Sequence, residues 1–205
     1  MPARPEVVLA TRNAHKVVEL GRILAEAGLD VELVGVEAFP DVPDVAETGR
    51  TFQENALLKA RAVAAATGRP AVADDSGLAV DALNGMPGLF SARWAGRHGD
   101  DAANLDLVLA QVADVPDDRR GAAFVCAAAF ALPDGRADVV AGRLEGTLIR
   151  ERRGEGGFGY DPVFVPVGER RTTAEMSGAE KDAISHRGRA FRGLVPVVRR
   201  LLAEA

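Results

Sequence analysis

Several polar clusters in this chain carry residue types suited to phosphate and metal chemistry. The first is Thr11-Arg12-Asn13-Ala14-His15-Lys16. It follows the apolar run Glu6 to Ala10 and precedes Val17, Val18, Leu20, Ile23, Leu24 and Ala27, which recur at helical spacing. A strand that ends in a polar turn and opens a helix exposes backbone N–H groups at the positive end of the helix dipole. Lys16 adds a full charge there, which makes the turn an anion site. Read alone, the segment also fits a plain helix cap with a surface lysine.

Carboxylates come next. Glu47 lies in a loop, and Asp74-Asp75-Ser76-Gly77 is expected at the end of a short strand from Pro70 to Ala73. Adjacent aspartates on extended chain point to opposite sides, so only one of them faces a given pocket directly. Magnesium takes one or two carboxylates and leaves its other positions to water and substrate phosphates, a demand that Glu47 and Asp75 could meet. A turn capped by Asp74 and Asp75 is the plain alternative.

Gly154-Glu155-Gly156-Gly157-Phe158-Gly159 matches G-x-G-x-x-G, but it runs into Tyr160-Asp161-Pro162 and a strand rather than opening a helix. Glycines around Phe158 and Tyr160 better suit a loop that offers aromatic faces to a flat ligand such as a nucleobase. A glycine-rich hairpin with its aromatics in the core is the alternative. Lys181 and then Ser185-His186-Arg187-Gly188 form the last cluster. Donors from His186, Arg187 or a backbone N–H would favour a purine carrying oxygen at C6 over adenine, which presents an amino group there. His186 and Arg187 also read as caps of a helix ending before Gly188.

These clusters need elements to hold them. Strand Glu6–Ala10, a helix stopped by Gly28 and strand Val31–Val36 suggest an α/β layout. Thr51 with Glu54 predicts a capping box opening a helix to about Thr67. Asp100 caps a helix through Val112, and strands Ala122–Leu132 and Arg136–Leu148 flank the turn Pro133-Asp134-Gly135 as a hairpin. Ser177 with Glu180 predicts a second capping box, and a final helix covers most of Arg189 to Ala203.

Bulk properties narrow the function. At 205 residues the chain suits one compact domain built of two lobes. A net charge of −5 argues against direct nucleic-acid binding. There is no run of about 18 apolar residues and no leader-like N-terminus, so no membrane association and a cytoplasmic location are expected. The single cysteine, Cys126, sits in an apolar run and reads as a packed thiol. Only three of the 25 cationic residues are lysines, namely Lys16, Lys59 and Lys181, and such a bias makes those positions worth inspecting.

Taken in order, the segments Val7 to Lys16, Glu47 to Ala56, Ala73 to Leu78, Pro87 to Gly96, Gly156 to Pro162 and Ile184 to Gly188 resemble one family. It is the family of pyrophosphatases acting on aberrant purine nucleoside triphosphates, also called inosine or xanthosine triphosphate pyrophosphatases. The resemblance spans nearly the whole chain. It implies a two-lobed α/β fold with a long mixed central sheet flanked by helices, the active site in the cleft between lobes, and a homodimer. It also implies cleavage of ITP, dITP, XTP or dXTP between the α- and β-phosphates.

Carried over by position, the resemblance gives Thr11, Arg12, Asn13, Ala14, His15 and Lys16 to the triphosphate, with Lys59 as a further substrate-binding residue. Asp75 becomes both a Mg2+ ligand and the acceptor of a proton from the attacking water, Glu47 a second ligand, and Asp74 a supporting one. Ser76, Phe158, Gly159, Tyr160, Asp161, Lys181, His186 and Arg187 would contact the nucleotide. The chain departs from the family pattern at Arg12 and His15, where glycine is frequent, and at Trp94, where tyrosine is common. Two rival readings are a pyrimidine or modified-nucleotide triphosphate pyrophosphatase of related fold, and a nucleotide-binding regulator without catalysis.

Overall fold

The computed structural model describes residues 4–12 and 14–204. In chain order the elements are β1 (Glu6–Leu9), α1 (Ala14–Glu26), β2 (Glu32–Gly35), α2 (Phe52–Thr67), β3 (Ala71–Val80) and β4 (Met86–Pro87). There follow α3 (Asp101–Gln111), β5 (Gly121–Ala131), β6 (Ala137–Leu148), β7 (Phe164–Pro166), α4 (Gly178–Ile184) and α5 (His186–Ala203). The expected α/β class holds. A mixed sheet runs in the order β2-β1-β3-β5-β6-β7, with β4 beside β3. β1 is parallel to β2 and β3, whereas β3–β4 and β6–β7 are antiparallel.

Local chemistry explains most of the boundaries. Thr51 caps α2 by accepting from the Glu54 N–H, and Gly68 ends the helix in the left-handed conformation that glycine adopts at low cost. The capping box expected there is only half made, because the Glu54 carboxylate accepts from the Arg50 N–H instead of from Thr51. The box of Ser177 and Glu180 on α4 is complete. Asp100 caps α3 through the Ala103 N–H.

Two expectations need correction. β3 does not stop at Ala73 but continues to Val80, so Asp74-Asp75-Ser76-Gly77 lies inside a ten-residue strand. The apolar run resumes at Leu78 and Val80, both fully buried, so the polar residues lie between two buried stretches of one strand. The last helix begins at His186, so His186 and Arg187 open α5 rather than closing the helix before it. α4 has already ended at Ile184.

The chain forms two compact units, the first comprising Met1–Asp75, Cys126–Gly142 and Arg187–Ala205, the second Ser76–Val125 and Arg143–His186. In the first unit, the sheet separates two apolar clusters. Val7, Leu9, Val72, Cys126, Ala128 and Phe130 face α1 and α5, where Leu20, Ile23, Phe191 and Leu194 meet them. Val8, Ala71, Ala73, Ala127 and Ala129 face α2, through Ala56, Ala60, Val63 and Ala64. Odd and even positions of β3 thus go to different helices, as the period of a strand requires. Cys126 is fully buried, as its apolar neighbours predict. The second unit packs Leu78 and Val80 with Leu105, Val108, Phe124, Tyr160 and Phe164. No helix among the described residues is long and apolar enough to cross a membrane.

Candidate active site

Alternation along β3 decides the surroundings of the two aspartates. Val72 faces α1 and α5, so Asp74, two residues on, faces them as well. Its Oδ2 lies 2.8 Å from Lys16 Nζ, on the first turn of α1, and 3.5 Å from Arg187 Nε, on the first turn of α5. Cys126 Sγ stands 4.0 Å from the same oxygen. Burial alone would favour the neutral acid. The charges of Lys16, then Arg187 and Lys59, outweigh it and hold the Asp74 carboxyl well below the usual aspartate range.

Asp75 faces α2. Its Oδ2 accepts from Asn55 Nδ2 at 2.9 Å, and its Oδ1 lies 3.7 Å from Lys59 Nζ. Lys59 also donates to Glu47 Oε1 at 2.7 Å, so one ammonium serves two carboxylates. Here burial prevails over the attraction of Lys59. Together with the like charge of Glu47, it pushes the Asp75 carboxyl up from its ordinary value. Lys59 shifts up too: burial works against its charge, but Asp75, Asp74 and Glu47 together win.

β3 runs past the end of β1, whose last residue Leu9 pairs with Val72. The aspartates therefore sit just beyond the carboxyl end of β1, where α/β sheets commonly bind ligands. In the turn after β1, Thr11 is half-buried, and its N–H donates to the Leu9 carbonyl. Arg12 points elsewhere, donating to the Val42 carbonyl at 2.9 Å and pairing with Asp44 at 2.9 Å. Asn13 lies outside the described residues, as do the side chains of Ala14 and His15.

The second unit gathers another group of the expected residues. Asp161 is its hub, being 2 % exposed. Its Oδ2 accepts from Lys181 Nζ at 2.6 Å and from the Phe158 N–H at 2.9 Å, while Oδ1 accepts from Thr173 Oγ1 at 2.7 Å. Lys181 Nζ also lies 5.1 Å from the centre of the Phe158 ring, a cation–π distance. The Gly159 N–H donates to Asp101 Oδ2 at 2.8 Å. Gly157 has a φ of +72°, and a Cβ there would collide with the Asp161 carboxylate. Ser76 is half-buried on β3.

Of the two aromatics expected to face a ligand, only Phe158 keeps partial exposure. Tyr160 is packed in the core with its hydroxyl donated to the Ser91 carbonyl at 2.8 Å, and burial pushes that hydroxyl's pKa well up. His186 is 4 % exposed and stacks on Phe124, with ring centroids 4.9 Å apart at 17°.

Several contributors escape the sequence reading: Asn55, Phe124 and Thr173. For Asn55 a signal exists, because it precedes Lys59 by one helical turn and interrupts the apolar face of α2. Phe124 and Thr173 act through tertiary contacts that no spacing announces.

Among the described residues, no three of His, Cys, Asp or Glu converge as a self-sufficient metal cage. Glu47 and Asp75, sharing one ammonium, supply the two carboxylates that suit magnesium when phosphates and water complete its shell. A divalent cation would relieve the repulsion between them, which adds to burial in raising the Asp75 carboxyl.

The model of the Ham1 family matches residues 7–197. The dITP/XTP pyrophosphatase of Streptomyces coelicolor is 68% identical over 196 residues, covering 96% of this chain and 98% of that protein. That of Mycobacterium tuberculosis is 56% identical, covering 96% of each. Among solved structures, the nucleoside-triphosphatase / dITP/XTP pyrophosphatase of Mycobacterium abscessus superposes with a TM-score of 0.77 at 55% identity, covering 94% of this chain and 99% of that one. A HAM1 protein from Coxiella burnetii gives a TM-score of 0.86 at 42% identity, covering 96% and 99%.

Proposed function

The chain belongs to the Ham1 family, and on that premise we propose that it hydrolyses aberrant purine nucleoside triphosphates, dITP and XTP foremost, to the monophosphate and pyrophosphate. The observation that carries this reading is the setting of β3: Lys16 holds Asp74 on one side, while Lys59 bridges Glu47 and Asp75 on the other. Carboxylates and lysines interleaved in this way fit a triphosphate with its cation better than a binder that never cleaves. A binder gains little from acids beside phosphates.

Glu47 and Asp75 would hold magnesium, which when bound neutralises phosphate charge and orients the chain for in-line attack. Asp75 takes a proton from the attacking water as oxygen adds to the α-phosphorus and the α–β anhydride bond breaks. Lys16 and Lys59 stabilise the departing pyrophosphate by charge. Asp74 keeps Lys16 and Arg187 in place. Burial raises the Asp75 carboxyl from its ordinary value, the direction that favours proton acceptance.

In the second unit, Phe158 offers a face for stacking while Lys181 and Asp161 fix its loop. Donors at His186 and Arg187 suit a C6 oxygen and leave adenine's amino group without an acceptor. The homodimer and the cytoplasmic location expected from the sequence belong to the same proposal. Buried Cys126 suits a reducing compartment.

The test is pyrophosphate release from dITP, XTP, dGTP, dATP and dTTP, with magnesium and with EDTA. Rapid, magnesium-dependent release from dITP and XTP alone is expected. Equal release from all substrates would remove the role given to His186 and Arg187, and no release would overturn the enzymatic reading.

A further inference from the structure

Asn55 is 2 % exposed on the first turns of α2, and both ends of its amide are engaged. Oδ1 accepts from the Gly49 N–H at 2.8 Å, and Nδ2 donates to Asp75 Oδ2 at 2.9 Å. The orientation follows from chemistry. A backbone N–H only donates, so the amide oxygen must face Gly49 and the NH2 end must face Asp75. That end in turn only donates, which commits Asp75 Oδ2 as an acceptor.

The loop side of this clamp is equally constrained. A Cβ on Gly49 would come 2.7 Å from Asn55 Oδ1 and 2.7 Å from Glu54 Cβ, so the loop approaches α2 more closely than any side chain permits. Glu47 stands two residues earlier on that loop. Lys59, which grips Glu47 and Asp75, follows Asn55 by four residues and so shares its face of α2.

We propose that Asn55 is a positioning residue for the hydrolysis, tying Asp75 Oδ2 and the Glu47 loop together so that the Asp75 carboxylate is held in the orientation in which it receives the water's proton. The role rests on the function proposed above. It requires that Asn55 act on turnover at sites that still bind nucleotide, which a residue needed only for folding would not do.

The experiment compares the whole protein with Asn55→Ala and Asn55→Asp. The second variant keeps an oxygen for Gly49 but replaces the donor facing Asp75 with a carboxylate oxygen, an acceptor that repels it. Calorimetric titration with an α,β-methylene analogue of dITP counts competent sites, and pyrophosphate release gives kcat per competent site. We expect the dissociation constant to stay within about threefold and kcat per site to fall about a hundredfold in both variants, the scale of a misplaced catalytic group. Should Asn55→Ala fail to fold, Asn55→Asp decides alone. A kcat per competent site within about threefold of the parent in Asn55→Asp would overturn the proposal while leaving the enzyme standing. Absence of pyrophosphate release from the parent protein would instead bring down the proposed function, and this role with it.

Discussion

The imidazole of His186 lies nearly parallel to the ring of Phe124, with centroids 4.9 Å apart at 17°, and Phe124 in turn meets Phe164 at 4.4 Å. A histidine at the opening of α5 is thereby held in plane by the core of the second unit. Contacts of this kind contribute about 1 kcal/mol each beyond area, enough to restrict a ring but not to define a fold.

Replacing Phe124 by leucine should therefore loosen selectivity more than activity. We expect the ratio of kcat/KM for dITP over dATP to fall about tenfold, while kcat for dITP falls less than threefold or so. Steady-state kinetics on both nucleotides read this directly. An unchanged ratio would show that the stack does not govern base choice.

Asp75→Asn should abolish turnover and spare binding. Removing a general base costs about 100-fold or more, whereas the asparagine can still occupy the same space. Pyrophosphate release and calorimetry with a non-hydrolysable analogue separate the two effects. Turnover close to that of the parent would assign the proton to another group.

Lys59→Met should make the nucleotide-free protein respond more strongly to magnesium. The ammonium between Glu47 and Asp75 is itself a cation in the place the metal would serve, and its removal leaves two like charges exposed to each other. Thermal melts with and without magnesium should show a larger rise in Tm for the variant than for the parent. Equal shifts would place the metal elsewhere.

Asp74 should shape the acid limb of stability. Its folded carboxyl lies below the ordinary value of 3.8, so its ion pairs contribute fully above that pH and are lost as pH falls below it toward the folded value. Urea midpoints from about pH 6 down to about pH 2.5 should fall more steeply for the parent than for Asp74→Asn. Parallel curves would show that Lys16 and Arg187 do not hold this carboxylate.

Arg120 offers a test away from the chemistry. It is 2 % exposed and donates to the carbonyls of Leu148, Val112 and Ile149. Arg120→Met strands those acceptors, at about 1 kcal/mol or more each, so a loss of about 3 kcal/mol is expected with kcat per folded molecule unchanged. Chemical denaturation measures it, and a loss below about 1 kcal/mol would show that the carbonyls find other donors.

The residues themselves disclose part of this design. Opposite faces for Asp74 and Asp75 follow from the period of a strand, and the caps at Thr51, Asp100 and Ser177 follow from side chains that accept from N–H groups two or three residues on. The true length of β3 is not legible, because Asp-Asp-Ser-Gly looks like a turn unless the pairing that spans it is known. Nor are the partners of each carboxylate, which depend on how α1, α2 and α5 dock. Tyr160 is hidden for a similar reason: a glycine-rich surrounding suggests exposure, yet its hydroxyl reaches Ser91, far away in the chain.

The pairing of β1 with β3 decides which of the two aspartates meets which lysine. Val8 lies opposite Ala71 and Leu9 opposite Val72. A slip of one residue would invert every side chain of β3, presenting Asp74 to Lys59 and Asp75 to Lys16. Two chemically identical neighbours would then exchange roles without any change of sequence. Which aspartate comes to lie beside Lys59 is thus decided during folding, when valine and alanine settle which strand position meets which, before any nucleotide arrives.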